Sequence, residues 1–135
     1  MHHPWRELRN RGHGVLLLFT TFEDGRVAAT RGNHIYLDKD LLQVERRCAI
    51  QHEQVHLDLG HADCEDPADE AKARAVTARR LLSANQLIPV ALWTQSIEEA
   101  ADELWVTPQV LEDFIATLTP QEWETITQAI GEAHG

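Results

Sequence analysis

At 135 residues the chain has room for one hydrophobic core, and no apolar run approaches the roughly 20 residues of a membrane span. Its formal net charge of −10 is unevenly placed: residues 1–80 hold all 12 Lys and Arg, whereas residues 81–135 hold none and nine acidic residues. An acidic C-terminal third repels phosphate backbones, which makes nucleic acid an unfavoured partner. Two cysteines, with no basic-then-apolar segment at Met1, fit a reducing cytoplasm rather than a disulfide framework.

The residues from Met1 to Gly14 carry Trp5, Arg6, Arg9 and Arg11 and predict an opening helix or arm, with His2, His3 and His13 solvated. Val15 to Phe22 is a short apolar and β-branched run bounded by turn signals, hence a strand. Glu23-Asp24-Gly25 turns the chain, Arg26 to Thr30 returns, and Arg31-Gly32-Asn33 turns it again. His34 to Leu37 then alternates as a third strand. The expectation is a small antiparallel meander with His34–Leu37 at its edge, open to an extended peptide.

This sheet leads into the segment that carries the chemistry, His52-Glu53-Gln54-Val55-His56. The pattern H-E-x-x-H on a helix is the signature of a zinc peptidase helix. At about 100° per residue, His52 and His56 fall one turn apart on one face, where two imidazoles can share an ion. Glu53 lies on the flank of that face, placed as a general base and not as a ligand. The wheel gathers Leu41, Val44, Cys48, Ala49, Val55 and Leu59 into one apolar sector and turns Arg47, Gln51, Gln54 and Asp58 away from it. Asp40 with Gln43 resembles a capping-box start, and Gly60 a stop.

Asp66 followed by Pro67 opens a second helix, expected to run to about Asn85. Its alanines at 68, 71, 73, 75 and 78 allow close approach of a neighbour. On its wheel Glu70 shares the inward side with Ala73, Thr77 and Leu81, while Asp69 faces the other way with Lys72 and Arg80. A zinc site needs a third protein ligand, and Glu70 has the chemistry and the side for it. His61, Asp63 and Cys64 compete for that place.

Residues from Ile88 to Gln95 read as a short connection or a single helical turn. Ser96 and Glu99 form a capping box for a helix to Trp105, Thr107-Pro108 opens another to about Thr117, and Thr119-Pro120 opens a last one ending near Gly131. Ala100 to Leu111 reads like a helix-turn-helix without basic surroundings, which favours a packing module or a protein-docking surface over DNA binding. The predicted fold class is therefore α+β. A small antiparallel three-stranded sheet lies on a zincin-type helix, and a mostly helical part follows. The chain reads as a single domain, 1–135, with a minimal core at 1–85 and an acidic helical extension at 86–135.

The order of strand hairpin, Ile35-Tyr36-Leu37-Asp38, the motif helix with His52 to His56, Gly60-His61, Glu70 with Ala73, and Ala78 to Leu82 resembles the ImmA/IrrE family over roughly residues 34–118. These are compact cytoplasmic zinc metallopeptidases, and the likeness is to short actinobacterial and phage-borne members. The resemblance implies Zn²⁺ held by His52, His56 and Glu70, with Glu53 catalytic. It also implies a helix-turn-helix repressor as substrate, whose cleavage relieves repression of a phage, mobile element or stress regulon. The alternative is a non-catalytic antirepressor, a protein-binding regulator with a structural or vestigial metal site.

Overall fold

The computed structural model describes residues 3–11, 14–61 and 66–134, so His2, His13, Asp63 and Cys64 lie outside the described residues. Within them the chain is α+β, with seven helices and one three-stranded mixed sheet. Helix α1 (Pro4–Asn10) leads into strands β1 (Leu16–Thr20), β2 (Ala28–Arg31) and β3 (His34–Asp38), and these into the long helix α2 (Gln43–Leu59). No helix among the described residues is long and apolar enough to cross a membrane.

The sheet departs from the predicted meander. Its order is β1-β3-β2, with β2 antiparallel to β3 but β1 parallel to it. The Gly32-Asn33 turn acts as read: Arg31 pairs with His34 across it, and Gly32 takes φ +60°. Seven residues, 21–27, separate β1 from β2, too many for a tight hairpin. The run from Leu16 to Phe19 is apolar at every position, so it has no alternating face to hold it beside β2. It lies on the far side of β3. His34–Leu37, expected at an edge, is therefore part of the central strand, and the edges are β1 and β2.

Helix α2 is enclosed on three sides. Ile35 and Leu37 of the sheet are fully buried against Ile50, with Leu17 and Ala28 beside them. On another side Cys48 joins Ala78, Leu81, Leu104, Leu111 and Phe114 from later helices in the larger core. Helix α1 covers a third: Gln54 donates from Nε2 to the Pro4 carbonyl at 3.0 Å, and Arg11 Nε donates to Gln54 Oε1 at 2.8 Å. Arg47, Gln51 and Gln54, which the wheel turns outward, are thus buried. Arg47 donates to the carbonyl of Trp105.

The helix begins after Leu42, not at Asp40. Glu45 accepts from the Leu42 backbone N–H at 2.9 Å, while Asp40 stays in the preceding turn, its N–H donating to Asp38 Oδ1 at 2.8 Å. Gly60 ends the helix as read, left-handed at φ +71°, with the His61 N–H donating to the His56 carbonyl at 3.0 Å.

Asp66 caps α3 (Pro67–Leu81) by accepting from the Ala68 N–H at 2.8 Å. This helix stops short of Asn85, because Ser83 and Gln86 open α4 (Ala84–Ala91), a longer helix than the single turn expected after Ile88; the Ser83 N–H donates to Gln86 Oε1 at 2.7 Å. Helices α5 (Ile97–Glu103) and α6 (Pro108–Thr117) start at their Ser96 and Thr107 caps. Helix α7 (Pro120–His134) runs through Gly131, which does not take the positive φ of a stop. Leu111, the last residue of the helix-turn-helix-like segment, is buried with Phe114 of α6 in the core shared with α2 and α3.

Two outcomes follow from these contacts. Phe114 is fully buried, so Phe114→Ala should cost about 3–5 kcal/mol, seen as a lower urea midpoint at unchanged slope. Asp58 of α2 accepts from Arg11 at 2.8 and 2.9 Å and from Arg80 of α3 at 2.7 Å. The Arg11 hydrogen bond, foremost, holds its carboxyl below the usual range. A depressed folded pKa adds stability above the unfolded value of about 3.9, and that stability is lost as pH falls through the folded value. Asp58→Asn should therefore be less stable than wild type at pH 7, and urea titrations should show the gap closing as pH falls below about 4.

Candidate metal centre

The regular spacing of α2 puts His52 and His56 on one side, and the Gly60 stop turns the chain so that the first turn of α3 faces them. His52 Nε2 and His56 Nε2 are 3.0 Å apart. Glu70 spans both, with Oε1 2.9 Å from His52 Nε2 and Oε2 3.1 Å from His56 Nε2. These ligand atoms all lie within 4.8 Å of one another, and the group can hold a metal ion. Two imidazole nitrogens and a carboxylate are a donor set that zinc favours, and bonds of about 2.0–2.1 Å set tetrahedral ligand atoms roughly 3.3 Å apart. The observed separations are a few tenths of an ångström shorter, within the reach of small side-chain torsions.

Burial and charge prepare the three groups differently. His56 is fully buried, whereas the side chains of His52 and Glu70 are 20% and 38% exposed, so the group opens toward solvent on their side. Burial, reinforced by His52, holds His56 below its usual pKa, in the neutral form that ligates. For His52 burial also pulls down, but the hydrogen bond and charge of Glu70 outweigh it and the net direction is up. The His52 hydrogen bond holds Glu70 below the ordinary carboxylate range.

Glu53 stands beside the group and outside it, only 3% exposed. Its Oε2 accepts from the Thr30 hydroxyl of β2. Burial pushes its carboxyl up, against the opposing pull of Thr30 and His52. A carboxylate whose pKa is raised by burial is a stronger base than an ordinary one.

A cleft of about 480 Å³ opens over His52, Glu53 and Glu70. Residues 26–30 form one wall, and among the described residues the outer edge of β2 has no strand partner. The opposite wall comes from α3 and α6, where Arg74 donates to Asp113 at 2.6 and 3.1 Å and Gln109 adds a bond to Asp113 at 3.0 Å. The helix-turn-helix-like part thus contributes directly to the cleft.

Sequence reading missed Thr30, Arg74 and Asp113. Arg74 carried a signal, one turn beyond Glu70 on the same helix; Thr30 and Asp113 carried none, because their partners are distant in the chain. His61, the rival third ligand, lies outside the triangle, its Nδ1 2.9 Å from His56 Nδ1 and its Nε2 3.4 Å from Asp69 Oδ1. Asp69 is therefore turned toward His61 and not away, as the wheel had it.

Fold and site together define an α+β protein with a His-His-Glu group, able to hold a metal ion, at one end of a cleft. No protein-family model, curated protein or solved structure matches the chain.

Proposed function

We propose that this protein is a cytoplasmic zinc-dependent endopeptidase of the ImmA/IrrE kind, with a zincin-type site on α2 and α3. The observation that carries the reading is the triangle of His52, His56 and Glu70 with a buried carboxylate, Glu53, beside it and not within it. His52, His56 and Glu70 would hold Zn²⁺, which when bound polarises a scissile carbonyl and lowers the pKa of water. Glu53 takes a proton from the attacking water as its oxygen bonds to the carbonyl carbon. It then returns that proton to the amine as the carbon–nitrogen bond breaks. Thr30 fixes the carboxylate through its hydrogen bond.

An extended substrate is held along the free edge of β2 by strand addition. That edge replaces His34–Leu37, which β1 and β2 cover on both sides. A helix-turn-helix repressor as substrate rests on the resemblance of the motif residues to the family, and its cleavage would relieve repression of a phage, mobile element or stress regulon. The test is metal content of protein purified without added zinc, followed by incubation with candidate repressors with and without chelator. One zinc per chain and chelator-sensitive cleavage are expected. A protein that carries no metal overturns the reading. Repressor binding that survives both chelation and Glu53→Gln, without cleavage, favours the non-catalytic regulator.

A further inference from the structure

The His56 ring has a second nitrogen, and what it meets is unusual for a metal ligand. Its Nδ1 lies 2.9 Å from Nδ1 of His61, with ring centroids 5.1 Å apart and planes tilted by 58°. His61 Nε2 in turn lies 3.4 Å from Asp69 Oδ1. We propose that His61, backed by Asp69, is a positioning residue that fixes the tautomer and ring angle of His56 for metal binding. The inference rests on the reading that His52, His56 and Glu70 hold a metal ion.

The proton assignment follows from one end of the chain. An imidazole that ligates through Nε2 keeps its proton on Nδ1, so His56 Nδ1–H must donate. His61 Nδ1 is then the acceptor, which leaves the His61 proton on Nε2, facing the Asp69 carboxylate. Every atom in the relay has the role that its neighbour requires. The contact is shielded from solvent, since the His56 side chain is fully buried and that of His61 is only 10% exposed.

The backbone makes the placement local. Gly60 is left-handed and the His61 N–H is bonded to the His56 carbonyl, so the C-terminal stop of α2 delivers His61 beside the ligand one turn back. Asp69 precedes Glu70 on α3, and one helical turn therefore supplies both the third ligand and the outer end of the relay.

The test is Zn²⁺ affinity by competition with a chromophoric chelator, paired with the visible absorption of the Co²⁺-loaded protein, which reports ligand geometry. His61→Ala should weaken zinc binding about 10–100-fold and alter the cobalt spectrum. His61→Asn, whose Oδ1 can accept near the position of Nδ1, should recover most of the affinity. His61→Gln, whose acceptor falls near Nε2, should not. Asp69→Asn should give a smaller loss than His61→Ala. Thermal melting of the metal-free variants separates folding from binding, and should His61→Ala fail to fold, the contrast of Asn with Gln carries the test. Wild-type affinity and spectrum in His61→Ala, or equal behaviour of Asn and Gln, would overturn the proposal. A wild type that binds neither ion overturns the metal reading itself.

Discussion

Glu53→Gln should lower peptide-bond cleavage on the order of 10²–10⁴-fold in kcat while zinc content and KM stay near wild type. The size follows from the proposed role, in which one carboxylate would both receive the proton of the attacking water and deliver it to the leaving amine. Gln is nearly isosteric and its Oε1 can still accept from the Thr30 hydroxyl that now holds Glu53. What the variant loses is the ability to carry a proton. It also loses a charge that burial disfavours, at 3% exposure, so the fold should be no less stable at neutral pH. Single-turnover cleavage of a repressor, run beside metal analysis of the same preparations, separates the alternatives. Cleavage at the wild-type rate would remove Glu53 from the chemistry, and loss of zinc together with cleavage would make it a structural support of the site.

The parts of this site that were legible in the sequence are those set by local rules. H-E-x-x-H fixes the spacing of His52 and His56 because a helix has one pitch. Asp66-Pro67 fixes the start of α3, and from that start the phase of Glu70 relative to Ala73, Thr77 and Leu81 follows. The Gly60 stop was legible for the same reason: a left-handed residue is needed there, and glycine reaches it at least cost.

What was not legible depends on partners far along the chain. A helical wheel assumes one buried side, but α2 is covered by the sheet, by α3 and the later helices, and by α1. Gln54 reads as a surface residue until Pro4 and Arg11, more than forty positions away, supply its hydrogen bonds. Strand order failed similarly, because an unbroken apolar run such as Leu16 to Phe19 has no alternating face to declare its neighbour. Helical phase alone turns Asp69 outward. His61, set down by the end of a different helix, is what it meets instead.

Glu70→Ala should weaken zinc binding by more than the roughly 100-fold that marks the upper end for loss of a ligand's outer hydrogen-bond partner. Among the described residues Glu70 is the group that closes the triangle, with one oxygen toward each imidazole at 2.9 and 3.1 Å. Without it two neutral nitrogens remain, too few for a tetrahedral site with one open position. The metal-free protein should tolerate the change, because the Glu70 side chain is 38% exposed and Ala is a strong helix former. Metal-linked stability therefore gives the sharpest readout. Zinc at about 100 times the wild-type Kd should stabilise the wild type by roughly 2.7 kcal/mol, a rise of about 10 °C in Tm for a chain of this size. Glu70→Ala should show little or no rise at that concentration, and His61→Ala an intermediate one. A full zinc-induced shift in Glu70→Ala, with the shift lost in His61→Ala, would move the third ligand from α3 to the end of α2 and reverse the roles of the two residues.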